Sequence, residues 1–223
     1  MDAATGERRW GPVAKAKFAF GSPTLLADGT VAWGGGAVTV IDPENGRVLR
    51  RNPSVASFTT LAEDGGRLFA IFATDPDVVL AALDERTLQP VWAQPFTSAQ
   101  ILGAIPIAPG AGDGVVAVVD STNVLRALDG ATGEELWNLQ LRLAPNSPPI
   151  VRDGRVFVEE PGFPEDLNQH EHRVTVLDAR TGAMEASWEI PGALFFADMF
   201  RMSDGHLLVT VPNGIVAVDP EVR

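Results

Sequence analysis

Two histidines and a run of carboxylates are the side chains best placed to do chemistry in this 223-residue chain. His170 and His172 lie in the segment Glu159 to Arg173, together with Glu159, Glu160, Glu165, Asp166 and Glu171. In an extended segment, His-x-His sets both imidazoles on one side, and with neighbouring carboxylates it suits zinc or a similar divalent ion. A solvated acidic loop explains the same residues without any ligand, because polar side chains belong on surface connections. Phe163, between Pro161 and Pro164, offers a partner contact within that loop. Asp75 and Asp77 flank a proline, which points to a turn before it points to Ca²⁺, an ion that takes six to eight oxygens. Gly34-Gly35-Gly36 is not a phosphate cradle, since no helix follows to direct its N-terminus at an anion. With three histidines and no Gly-x-Ser-x-Gly elbow, Ser-His-Asp catalysis finds no support.

Cysteine and tyrosine are both absent, which removes disulfides, thiolate metal sites, thiol nucleophiles and phenolic acids. Seventeen Lys and Arg stand against 29 Asp and Glu, a formal net charge of −12. Such a balance excludes binding to a phosphate backbone and electrostatic docking on anionic lipid. The opening residues are polar and charged, unlike a signal peptide, and no apolar run approaches the roughly 18 residues of a membrane span. Membrane insertion and nucleic acid are therefore not expected. The compartment stays open.

What must position these residues is a repeat. The string Asp2-Ala-Ala-Thr5-Gly6 through Trp10 returns as Asp42 to Gly46, as Asp84 through Thr87 to Trp92, and as Asp129-Gly-Ala-Thr132-Gly133 to Trp137. It returns again as Asp178 through Thr181-Gly182 to Trp188, and its opening half recurs at Asp219. The aspartates are 40, 42, 45, 49 and 41 residues apart. A second marker keeps the same phase: an Asp-Gly pair begins at Asp28, Asp64, Asp113, Asp153 and Asp204, one per period. Asp-Gly is a strong two-residue hairpin signal, read as a type I′ turn.

Between the markers the pattern is short strands rich in Val, Ile, Phe and Thr, without sustained helical periodicity. The first period predicts strands at 22–27, 30–33, 38–41 and 47–50; the fourth predicts 147–151, 155–158, 174–177 and 184–188. Four strands per period of about 43 residues, five times over, predict an all-β fold: a propeller of four-stranded antiparallel blades. The Asp carboxylate should close an Asx turn, Thr should add a hydroxyl bond, and Gly should supply positive φ. The Trp should then lie on the outermost strand, covering the seam to a neighbouring blade with its N–H seeking a carbonyl. Arg50 takes the Trp position in one copy, and Trp188 comes two residues late on the same face.

The pattern Ala-x-Asp-x-x-Thr-Gly-x-x-x-Trp resembles the repeat of the PQQ-like, or quinoprotein-type, β-propellers, and Ala127 to Trp137 matches it at every defined position. The resemblance covers essentially the whole chain as a single domain of five repeats. It implies one of three roles. One is a non-catalytic propeller presenting loops to a protein or peptide; another is a fragment or relative of a PQQ-dependent dehydrogenase; a third is a ligand- or metal-sensing domain of a larger receptor. The quinoprotein enzymes bind PQQ with Ca²⁺, but no position here matches their calcium or catalytic residues by motif, and their vicinal disulfide has no counterpart. No cofactor and no catalytic residue is carried over. Many relatives are periplasmic or extracellular.

The two ends read as complementary half-blades: a turn and outermost strand from Asp2 to Trp10, and a third strand ending near Val218. The leading expectation is that the N-terminal strand completes the last blade and closes the ring. The alternative is a five-blade piece of a longer propeller.

Overall fold

The computed structural model describes residues 4–11, 21–57, 59–74, 77–97, 100–101, 105–160, 171–191, 200–203, 206–211 and 214–218. They divide into two compact units, Met1–Phe96 and Thr97–Arg223. In the first unit, β1 (Thr24–Leu25), β2 (Val31–Trp33), β3 (Val38–Ile41) and β4 (Val48–Asn52) form one antiparallel meander. A second contains β5 (Ala62–Asp64), β6 (Arg67–Thr74), β7 (Asp77–Asp84) and β8 (Pro90–Pro95). The second unit opens with a two-stranded ribbon, β9 (Gln100–Ile101) and β10 (Ile105–Pro106). It continues with the sheet β11 (Gly110–Gly112), β12 (Val115–Val119), β13 (Val124–Asp129) and β14 (Glu135–Gln140). Next comes β15 (Ile150–Arg152), β16 (Arg155–Glu160), β17 (Glu171–Asp178) and β18 (Met184–Pro191). Three strands end the series: β19 (Phe200–Ser203), β20 (His206–Val211) and β21 (Gly214–Val218). Four sheets thus have four antiparallel strands each, and among the described residues there is no helix.

A single such sheet has two apolar faces, and each unit buries them by stacking sheets. In the first unit Ala32, Val38 and Val40 pack with Leu68, Ala70, Phe72, Val79, Ala81 and Leu83. In the second, Val115, Ala117, Val119 and Leu125 meet Val156, Val158 and Leu177. Strand alternation sends Phe157 to the opposite face, where it joins Val174, Val176, Leu207 and Val209. Inner strands come close enough that glycine is required: Gly110 and Gly112 lie against the backbone carbonyls of Pro149 and Val151, where a Cβ would collide.

Several local expectations differ from the structure. Asp113-Gly114 and Asp153-Gly154 have positive φ at both residues, as a type I′ turn requires. In the second sheet the positive pair is Gly65-Gly66, one residue later, and the Asp28 turn has positive φ at Gly29 only. That turn is longer, closed by Leu26 N to Thr30 O at 2.9 Å and Thr30 N to Asp28 Oδ1 at 2.9 Å. Residues 4–11 hold no strand, although the sequence pattern places an outermost strand there. Asp2, Asp204 and Asp219 lie outside the described residues, so the pairing of the two ends is not described.

One feature was invisible in the sequence. Each four-stranded sheet has a β-bulge just before its turn aspartate, at Val40/Ile41, Ala82/Leu83, Ala127/Leu128 and Val176/Leu177. The unpaired residue on the outer strand is Leu49, Val91, Leu136 or Glu185. A bulge rotates the strand locally and resets the phase of its side chains. Val91 and Leu136 are accordingly exposed, while the next residue, Trp92 or Trp137, turns inward to half-burial.

Candidate functional site

The recurring residues build a turn and then a seam. Asp129 Oδ1 accepts hydrogen bonds from the amides of Ala131 (2.9 Å) and Thr132 (3.1 Å), and Gly133 N donates to Asp129 O at 2.8 Å. Asp178 repeats this with the amides of Arg180 (3.0 Å) and Thr181 (2.8 Å) and with the Thr181 hydroxyl (2.8 Å). Asp84 does so with Arg86 N, Thr87 N and Thr87 Oγ1, and Asp42 with Glu44 N and the Asn45 side chain. In the N-terminal copy, Glu7 N donates to Thr5 Oγ1 and Gly6 has φ +71°.

At Asp84, Asp129 and Asp178 these bonds favour the carboxylate over the acid. The Thr87 hydroxyl and amide lower the Asp84 pKa, and Thr181 does the same for Asp178. At Asp129 burial works against ionisation, but the Ala131 amide, the Arg180 guanidinium and the Thr132 amide outweigh it. A carboxylate held ionised by its own turn is a poor general acid or base near neutral pH.

Trp10 and Trp137 each reach a repeat turn that follows in the chain. The Trp137 indole N–H donates to Ala179 O at 2.9 Å, and its ring lies on Gly182, where a Cβ would sit 2.7 Å from Cδ2. Trp10 donates to Pro43 O at 2.8 Å and lies on Gly46 with the same geometry, a Cβ falling 2.6 Å from Cδ2. In both seams the acceptor is the residue after the turn Asp, and the glycine has positive φ, +71° at Gly182 and +74° at Gly46. Arg180 reinforces the second unit's seam, its Nη1 3.1 Å from Asp129 Oδ2, and Gly154 N donates to Asp113 Oδ2 at 2.8 Å. Trp92 approaches Phe69 of its own sheet with ring centroids 6.1 Å apart. Trp188 pairs in register with Val174 and packs on the cluster of Phe157 and Leu207.

The carboxylates that opened the sequence reading fare differently. Glu159 and Glu160 are not loop residues: they end β16, 2% and 6% exposed. The strand simply continues past Val158, paired with Val174 and Arg173. Glu160 Oε2 accepts the Arg142 amide at 2.7 Å and so fastens the connection between β14 and β15. Pro161 to His170, with Phe163, Glu165 and Asp166, lie outside the described residues, as does Asp75. His172 stands in β17 opposite Ile190, and Asp77 starts β7.

A charged group that the sequence reading missed joins the third sheet's middle turn to its outer strand. Asp120 accepts from Thr122 N, Thr122 Oγ1 and Val124 N, and Arg126 bridges it to Glu135 at 2.8 and 2.6 Å. The signal was present as Asp120-Ser-Thr122, an Asx turn outside the repeat motif. Every member of the group is paired, so it serves the fold.

PQQ held with Ca²⁺ requires a converging set of oxygen ligands. Among the described residues no three of His, Asp or Glu converge in a metal-holding arrangement.

Recurring four-stranded antiparallel meanders define the chain as an all-β propeller of PQQ-like repeats. It belongs to the family described as "Outer membrane protein assembly factor BamB", whose pattern matches residues 1–95 and 76–193. Among solved structures, BamB from Moraxella catarrhalis is similar with a TM-score of 0.54 at 16% identity, over 89% of this chain and 73% of that one. Quinohemoprotein alcohol dehydrogenase ADHIIG from Pseudomonas putida HK5 gives a TM-score of 0.61 at 15% identity, over 95% of this chain. The enzyme from Comamonas testosteroni gives 0.59 at 17%, over 94% of this chain. The chain spans 42% of the length of each dehydrogenase. No curated protein sequence matches it significantly. Among the described residues no helix is long and apolar enough to cross a membrane.

Proposed function

We propose that this chain is a non-catalytic propeller scaffold that holds a protein or peptide partner on its loops. The observation that carries this reading is the use of the repeat carboxylates. Asp42, Asp84, Asp129 and Asp178 each accept two or more bonds within their own turn, which leaves them no acid–base role. Membership of an assembly-factor family supports a protein partner. The end of the second unit that holds the Asp120 turn and the Arg142 connection is the surface offered. Gln140 Nε2 ties these two together through Thr122 O at 3.0 Å, and the Arg142 side chain is 57% exposed. The repeat turns sit at the other end of the strands, occupied with their own hydrogen bonds.

The test places a photo-crosslinking side chain at Arg142 and, as a control, at Asp153 on the opposite end of β16. A discrete protein adduct from position 142 and none from 153 is the result expected in cells. Equal adducts from both positions, or none from 142, would overturn the reading. So would saturable thermal stabilisation by PQQ with Ca²⁺ accompanied by dye reduction with an alcohol.

A further inference from the structure

One repeat turn carries an asparagine where the others carry threonine. Asn45 holds the fourth position of the Asp42 turn, the place of Thr5, Thr87, Thr132 and Thr181 in the other copies, and Gly46 follows it. In an Asn-Gly pair the glycine nitrogen can attack the asparagine side-chain carbonyl carbon, because no Cβ on the glycine stands in the way. A threonine hydroxyl at the same position has no amide to lose. Asn45 is exposed to solvent, so water can reach it. A second Asn-Gly pair, Asn213-Gly214, lies outside the repeat motif, with Asn213 outside the described residues.

In the closed turn the reacting groups are engaged elsewhere. Asn45 Nδ2 donates to Asp42 Oδ2 at 2.7 Å, and Asn45 Oδ1 accepts the Arg47 amide at 2.9 Å. Gly46 N, the attacking atom, donates to Asp42 O at 2.8 Å. The Trp10 ring covers Gly46, where a Cβ would fall 2.6 Å from Cδ2, and its indole N–H donates to Pro43 O at 2.8 Å. Beside it, Arg9 Nη1 pairs with Glu44 Oε2 at 3.0 Å. The Asn45 side chain must therefore leave two hydrogen bonds, and Gly46 N must leave one, before carbon and nitrogen can meet. Trp10 holds the turn on both sides of that pair, at Pro43 and at Gly46.

We propose that Asn45-Gly46 is a site of spontaneous deamidation gated by the Trp10 contact: the closed turn protects it, and opening of the contact exposes it. Gly46 N gives up its proton and bonds to Asn45 Cγ. The Cγ–Nδ2 bond breaks, and the nitrogen leaves with a proton as ammonia, giving a five-membered succinimide. Water then opens the ring at either carbonyl, leaving aspartate or isoaspartate at position 45. One water is consumed, one ammonia is released, and nothing is oxidised or reduced. The product does not fit the turn it came from. A carboxylate at position 45 cannot donate to Asp42 Oδ2, and it sets a second negative charge where the amide stood. Isoaspartate also adds a backbone carbon ahead of Gly46, which displaces the glycine from beneath the ring. Modification makes the opening of this contact permanent.

Peptide mapping by mass spectrometry of the full chain, incubated at mildly alkaline pH, tests this, with the same chain in urea as the unprotected reference. Conversion at Asn45 should run at least about tenfold slower in the folded chain than in urea. Trp10→Ala should raise the folded rate several-fold. Trp10→Phe, which keeps a ring and loses the Pro43 bond, should fall between the two and covers the case in which the alanine variant unfolds. Asn45→Thr, the residue of the other turns, should show no conversion there. Asn45→Asp, the encoded product, should exchange its Gly46 amide faster than wild type. Absence of conversion in urea, equal rates with and without urea, or a folded rate that neither Trp10 variant moves would overturn the proposal. So would a Gly46 amide as protected in Asn45→Asp as in wild type.

Discussion

Trp137 and Gly182 are in contact across 45 positions of sequence, the indole ring lying where the glycine's missing Cβ would be. The same ring donates to Ala179 O at 2.9 Å. One side chain therefore reads both the shape and the polarity of the next sheet's turn. Removing the ring should be costly. Trp137→Ala loses a half-buried aromatic surface and a hydrogen bond, about 2–4 kcal/mol in urea unfolding. Trp137→Phe keeps most of the surface and should lose about 1 kcal/mol. A loss below about 0.5 kcal/mol for the alanine variant would show that the seam contributes little.

Leu88 occupies a left-handed conformation that costs a non-glycine residue about 1 kcal/mol, yet its side chain is fully enclosed. Leu88→Gly relieves the backbone but empties the core, so the net effect should be destabilising by about 1–3 kcal/mol. The reverse change, Gly133→Leu, places a non-glycine residue at φ +79° and should also destabilise. Equilibrium denaturation of both variants checks the pair. A stabilised Leu88→Gly would mean that backbone strain outweighs packing there.

Glu160 is 6% exposed and accepts the Arg142 amide at 2.7 Å. Glu160→Ala should leave that amide without its acceptor and cost about 1–3 kcal/mol, with faster exchange at Arg142. Glu160→Gln retains an acceptor oxygen and should cost less. Equal losses would locate the effect in packing rather than in the hydrogen bond.

The turn carboxylates set the acid limit. Asp84 and Asp178 have folded pKa values lowered from 3.8, chiefly by the Thr87 and Thr181 hydroxyls. Their contribution is present above the unfolded pKa and is lost as pH falls through the lowered folded value. Thr181→Val should therefore flatten the acid arm of the stability profile below about pH 4. An unchanged acid arm would remove the hydroxyl from the account.

The fold was legible because two markers, the Asp turn and the Asp-Gly pair, kept one phase, and strand alternation did the rest. The strands around Val31, Val38 and Val156 fall where the apolar pattern puts them. Glu159 and Glu160 were misread because two adjacent carboxylates look like a surface loop, while the bonding that accommodates Glu160 comes from Arg142, 18 positions away. The repeated bulges were hidden for a related reason. A bulge is a fact about pairing between strands, and Leu136 or Val91 looks like any other apolar strand residue. Arg50 in the tryptophan position was visible in the sequence, but the bond from the Asn52 side chain, two residues on, to Leu88 O was not.

The central claim is that the recurring residues couple neighbouring sheets and carry no chemistry of their own. A double-mutant cycle on Trp137→Ala and Gly182→Ala, measured by urea unfolding, tests it most directly. The Gly182→Ala change alone introduces both a collision with the ring and a residue at φ +71°. In the Trp137→Ala background only the backbone strain remains, so its cost should fall by about 1 kcal/mol or more. Additivity within about 0.5 kcal/mol would contradict the coupling on which the account rests.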